Sequence, residues 1–100
     1  MIIVWAPRAL LDLDETLAYL AERSVQGASN VSIAIERSID ICARYPHLGI
    51  PTDEPLIYRW PVGPYRYTFF LRILLENKGI EVVRLRRAAR LSKLGALPRD

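Results

Sequence analysis

Arg66, Arg72, Arg84, Arg86 and Arg87 crowd the second half of this chain, among Tyr65, Tyr67, Phe69 and Phe70. They are the residues best suited to chemistry. A guanidinium group holds its charge at any working pH and grips a phosphate or carboxylate through two parallel hydrogen bonds. Arginines interleaved with aromatics suit nucleic acid, because bases stack on rings. An arginine-lined site can also stabilise the charge that develops during phosphodiester cleavage without a metal. No residue stands out as a general base.

The competing chemistries lack parts. The single histidine, His47, lies in a turn-rich loop and reads as incidental. The single cysteine, Cys42, excludes an intrachain disulfide and a cysteine metal cluster. Its place in a helical pattern makes it a small buried hydrophobe. One histidine, one cysteine and scattered acids form no ligand set, so neither metal nor cofactor is expected. Gly63 and Gly79 are isolated turn glycines rather than a phosphate loop. A Ser-His-Asp arrangement would need His47, which has no motif around it. Asp12, Asp14 and Glu15 read as complements to a helix dipole on a solvated face, not as a catalytic carboxylate pair.

The elements that position the arginines are strands. Leu56 to Trp60 reads as one, Pro61-Val62-Gly63-Pro64 as a turn, Tyr65 to Leu75 as a long second strand and Ile80 to Arg87 as a third. Glu76-Asn77-Lys78-Gly79 closes a hairpin, with Asn77-Lys78-Gly79 as a three-residue loop and Gly79 left-handed. That loop sets Arg72 opposite Arg84 and Phe70 opposite Arg86. Alternation then places Arg66, Thr68, Phe70, Arg72 and Leu74 on one face with Val82, Arg84 and Arg86. Tyr65, Tyr67, Phe69, Leu71 and Ile73 share the other face with Val83 and Leu85. The second face is apolar and packs on helices; the first carries Arg66, Arg72, Arg84 and Arg86 as a partner-binding face. A register one residue away would bury two arginines against the helices, which is costly for unpaired charge.

Upstream, Ile2 to Trp5 reads as a short strand. Pro7 suits the first turn of a helix, along which Leu10, Leu13, Leu17 and Leu20 recur at helical spacing until about Arg23 to Gly27. A second helix runs from about Ala28 to Arg44. Val31, Ile35, Ile39 and Cys42 mark one stripe, and Ile33 and Ile41 fall off it, so this helix is apolar on more than one side and is buried either in the core or beneath a partner. Trp60, at a strand end before Pro61, is expected at the edge of the core. The segment from Ala88 to Asp100 has no clear period.

One hundred residues with 51% apolar and 25% charged side chains suit one globular domain spanning 1–100. No apolar run approaches the roughly 18 residues of a membrane span, and the apolar start is cut short by Pro7, unlike a signal peptide. A cytoplasmic protein with no membrane contact is expected. The net charge of +3 is unevenly spread. Residues 1–54 hold four bases and eight acids, net −4, whereas residues 55–100 hold ten bases and three acids, net +7. Such asymmetry points to an acidic or polyanionic partner for the second half.

Three segments in order carry a family resemblance. APRALLDLDETLAYLAERS resembles the opening helix of the RelE/ParE toxins. CARYPHLGIPTDEPLIYRWPVGPYRYTFFLRI is similar to their passage from a helix end into a Pro-Val-Gly turn and a Tyr-Arg strand start. GIEVVRLRRAAR resembles their last strand. Together they span about residues 5 to 90. The resemblance implies an α+β fold: a short N-terminal strand, a two-helix hairpin, then three antiparallel strands, with the helices on one sheet face. It implies the toxin of a type II toxin–antitoxin system, bound in a hetero-oligomer by a cognate antitoxin. Two activities go with the family. One branch poisons DNA gyrase and is not enzymatic; the other cleaves messenger RNA on the ribosome. In the RNA-cleaving branch Arg66 would match the strand arginine at the scissile phosphate. Arg87 would stand where a histidine is common, and Ala88 and Ala89 where a tyrosine is common. Those departures, with the Pro61-Val62-Gly63-Pro64-Tyr65-Arg66 turn, favour the gyrase-poisoning branch.

Overall fold

A computed structural model describes residues 2–87. The segment from Ala88 to Asp100, with its two alanines at the expected tyrosine position, lies outside the described residues. The elements are β1 (Ile3–Trp5), α1 (Pro7–Arg23), α2 (Val25–Arg44), β2 (Ile50–Pro51), β3 (Ile57–Pro61), β4 (Tyr67–Leu74) and β5 (Gly79–Arg87). They form a five-stranded sheet in the order β1-β5-β4-β3-β2. β1 runs parallel to β5, and the remaining neighbours are antiparallel. The α+β class and the helical hairpin agree with the sequence reading. The two-residue β2, paired with β3, is an addition to it.

A single residue joins the helices. Ser24 is extended, its N–H closes α1 on the Leu20 carbonyl at 2.8 Å, and its Oγ accepts the Gly27 N–H at 2.9 Å. One side chain thus supplies the cap that starts α2, satisfying an otherwise orphaned amide. For that reason α2 begins at Val25, three residues before the position expected from apolar spacing.

The core lies between the hairpin and one sheet face. Ala9, Val31, Ile35 and Cys42 from the helices meet Phe69, Leu71, Ile80, Val82 and Leu85 from the sheet. Trp5 packs edge-on against Phe69 at 5.9 Å, and Trp60 lies half-buried at the edge of this cluster. Leu13, Leu17 and Leu20 pack against it, but Leu10 is 47% exposed. The inward face of α1 instead runs through the fully buried Ala9 and through Asp12. On α2, Ile33 and Ile41 stand exposed, so its second apolar side is not covered within the described residues.

The β4–β5 register differs from the expected one. Leu74 faces Gly79, so the loop has four residues, and Glu76 rather than Gly79 takes the left-handed turn position at φ 61°. Gly79, at φ 123°, belongs to the strand, where a Cβ would stand 2.3 Å from the Ile2 carbonyl oxygen. Close approach of β1 is what requires glycine there. Arg72 consequently faces Glu81, and a register shift between Phe70 and Leu71 follows, beyond which Phe70 faces Arg84 and Thr68 faces Arg86. The shift is a β-bulge that accommodates Val83 as one extra residue. It lets Val82 and Leu85 both reach the core, while Arg84 and Arg86 keep the Phe70 and Thr68 side. Without it, one or the other group would fall on the wrong face.

Candidate functional site

The arginines picked out in the sequence take distinct environments. Arg66 precedes β4 in the turn from β3, is exposed, and makes no ion pair among the described residues. Arg72 is half-exposed and bonds Glu81 across the strands at 3.0 Å. Arg84 is buried, at 6% exposure. Its Nε donates to Asp12 Oδ2 at 2.8 Å and its Nη2 to Asp12 Oδ1 at 3.4 Å. Arg86 is half-buried, and Arg87 is exposed at the end of β5. The expected face of four projecting arginines is therefore corrected. Two of the four are matched to carboxylates, Arg84 is enclosed, and Arg66 lies before the strand rather than on it.

Asp12 was expected on a solvated helix face and is instead 6% exposed. Burial of a carboxylate demands compensation, and three donors converge on it. Besides Arg84, the Leu85 N–H donates at 3.0 Å and the Arg8 guanidinium stands 3.5 Å away. The location explains the Leu85 contact. β1 covers β5 only to Val82, so the amide of Leu85 has no strand beside it. The carboxylate of α1 takes the place of the missing carbonyl. The signal in the sequence is slight: Asp12 falls three residues after Ala9 and one before Leu13, an acid on the apolar face of its helix.

Asp12, Leu85 and Arg8 of this junction line a cleft of ≈ 300 Å³ between α1 and the end of β5. Arg8, Thr16 and Tyr19 of α1 face Tyr67, Arg86 and Arg87 of the sheet across it. Arg86 and Arg87 are thus brought together in one concavity, and Arg72 and Arg66 are not among its lining residues. A second groove, ≈ 470 Å³, runs between the helices. Trp5, Leu10, Leu13, Ile35 and Ile39 make it apolar, and Glu36 and Asp40 stand with them.

The other candidate groups lie apart from the cleft. His47 is exposed and contacts Tyr58, with its Nδ1 3.4 Å from the hydroxyl. Cys42 is fully buried, and burial, with the Asp40 carboxylate behind it, pushes its thiol up to about 11. Such a thiol is a packing group rather than a nucleophile. Among the described residues no three of His, Cys, Asp or Glu converge as a metal site. No helix of the described residues is long and apolar enough to cross a membrane.

Among solved structures, one titled "Chromosomal ParDE TA system from P. aeruginosa" is similar to this chain with a TM-score of 0.69. The likeness covers 87% of this chain and 95% of that one at 18% sequence identity. No curated protein sequence matches significantly. The sequence profile of the family described as ParE toxin of type II toxin-antitoxin system, parDE, matches residues 3–92. With nine-tenths of its length matched, this chain belongs to the ParE toxin family of type II toxin–antitoxin systems.

Proposed function

We propose that this toxin arrests growth in the cytoplasm by poisoning DNA gyrase, and that a cognate antitoxin neutralises it in a hetero-oligomer. The observation that carries the choice of target is Arg87. A histidine is common at this place in the RNA-cleaving branch, and a guanidinium neither takes nor releases a proton at working pH. Arg87 is exposed at the cleft between α1 and β5, a position for contact rather than for proton transfer. A gyrase poison needs only a binding surface. Inducing the toxin while following the DNA-damage response and protein synthesis tests the reading. Damage signalling ahead of translation arrest, and gyrase–DNA cleavage complexes formed by purified toxin, are expected. Translation arrest that comes first would instead favour a ribosome-dependent, metal-independent mRNA endoribonuclease in which Arg66 and Arg87 contact the scissile phosphate.

The hairpin supplies the antitoxin surface. Leu10 lines the apolar groove between the helices and stays 47% exposed, and Ile33 and Ile41, elsewhere on α2, stay 44% and 48% exposed. The C-terminal segment of the antitoxin folds here as it binds, placing apolar side chains in the groove. Basic neighbours on that segment would face Glu36 and Asp40, and its acids would reach Arg66 and Arg72. Saturating antitoxin should raise the melting temperature of the toxin by mass action; equal melting temperatures with and without it would refute the contact.

A further inference from the structure

We propose that Arg59, on the sheet face away from the helices, receives one carboxylate of the antitoxin; this rests on the antitoxin reading above and adds a contact to it. Arg59 of β3 faces Ile50 on one side and Phe70 on the other. Phe70 alternates with the core residues Phe69 and Leu71, so Arg59 lies on the opposite face of the sheet. Its Nε is buried and has no hydrogen-bond partner, and its guanidinium makes no ion pair among the described residues. Thr68, two residues before Phe70 and on the same face, is 1% exposed, and its Oγ1 lacks a partner as well. Among the described residues these are the two buried side-chain polar atoms left unsatisfied, and both fall on one stretch of sheet.

Enclosing a polar group without a partner costs stability, and enclosing part of an unpaired cation costs more. A water molecule could satisfy the hydrogen bonds of Arg59 but not its charge. The surroundings supply no anion. Its cross-strand neighbours Ile50 and Phe70, and Ile57 and Pro61 two residues to either side on β3, are apolar. Glu81, which reaches this face through its pairing with Arg72, is bonded to that arginine. The same neighbours decide the class of anion. Arg72 is matched to Glu81, Arg84 to Asp12, and Arg86 is not free either. A nucleic-acid strand is held by several cations along its backbone, whereas Arg59 is a single cation in an apolar surround. Ile50, at 40% exposure, and the exposed Pro61 border it. An arginine ringed by apolar contacts is typical of a protein interface and fits one Asp or Glu on an apolar segment. Arg59 is only half-buried, within reach of such a segment, and its fork can take both carboxylate oxygens.

Arg59→Met tests this, because methionine keeps much of the stem and removes the charge. The purified full chain and the variant are each titrated with the cognate antitoxin and with a single-stranded oligonucleotide, and each is melted alone. Arg59→Met should weaken antitoxin binding at least about tenfold. The free variant should melt no lower than the native chain, since an uncompensated charge is gone; a residue that only held the fold would do the reverse. Replacing each Asp and Glu of the antitoxin by its amide should then identify one acid whose loss weakens binding to the native chain by a similar factor, but to Arg59→Met by less than about twofold. A native chain that binds no antitoxin would remove the antitoxin reading itself. Native binding that persists in Arg59→Met, or that is lost with no acid coupled to Arg59, would overturn this contact alone. So would a free variant that melts well below the native chain, or one weakened toward the oligonucleotide and not toward the antitoxin, which would assign Arg59 to nucleic acid.

Discussion

Removing the Asp12 carboxylate should unfold this protein more readily than any surface change. In Asp12→Ala, Arg84 remains 6% exposed with its carboxylate gone, and the Leu85 amide loses its acceptor. Breaking a buried ion pair from one side costs about 3–5 kcal/mol, because a desolvated charge is left uncompensated. An orphaned buried amide contributes about 1–3 kcal/mol of its own, but the two overlap when side chains and water relax together. We therefore expect a loss of about 4 kcal/mol, from a total of about 5–15 kcal/mol for a domain of this size. At about 4–8 °C per kcal/mol, the melting temperature should fall by about 15–30 °C. Urea unfolding followed by tryptophan fluorescence and helical circular dichroism measures this directly. Asp12→Asn retains one acceptor oxygen and should fall between alanine and the native protein. The double substitution Asp12→Leu with Arg84→Met should recover most of the loss, because it removes both charges together. A cost below about 1 kcal/mol for Asp12→Ala, or a double variant no more stable than the single one, would refute the reasoning.

Three further outcomes follow from other sites. Arg66→Ala should abolish toxicity with a stability change below about 0.5 kcal/mol, since the side chain is exposed, and Arg66→Lys should rescue only partly; growth arrest measured beside thermal unfolding checks both, and a still-toxic alanine variant removes Arg66 from the site. Gly79→Ala should cost at least about 2 kcal/mol in urea unfolding, because its Cβ meets the Ile2 carbonyl at 2.3 Å on a positive-φ backbone; a cost below about 0.5 kcal/mol would mean that β1 moves aside freely. Cys42 should react with iodoacetamide at pH 8 at least about a hundredfold more slowly when folded than in urea, since its thiol is raised from 9.0 to about 11. A raised folded value also fixes the sign of the pH effect: the thiol's contribution to stability is intact below pH 9 and is lost as pH climbs toward about 11. Urea midpoints that rise over that interval in the native chain relative to Cys42→Ser would contradict it.

Local chemistry carried most of the fold. The leucines of α1, the apolar stripe of α2 and the alternation of β4 each express a repeat that adjacent residues impose on one another, so element type and order were legible from the chain alone. The expected separation of Tyr67, Phe69, Leu71 and Ile73 from Thr68, Phe70 and Arg72 is the one that β4 adopts. The electrostatic asymmetry of the two halves likewise needed only composition. Register and pairing were different in kind. Which residue of β5 faces Arg72 depends on where the Ile2 carbonyl, just before β1 and more than seventy residues earlier, lies against Gly79. The bulge at Val83 then answers two demands at once, Val82 and Leu85 in the core and Arg84 and Arg86 opposite Phe70 and Thr68, and periodicity cannot show where that extra residue enters. Asp12 and Arg84, 72 residues apart, became partners only when the short β1 left the Leu85 amide open beside α1. Spacing within one element could show that Asp12 falls on an apolar face, but only the tertiary arrangement could supply the cation and the amide that make its burial favourable.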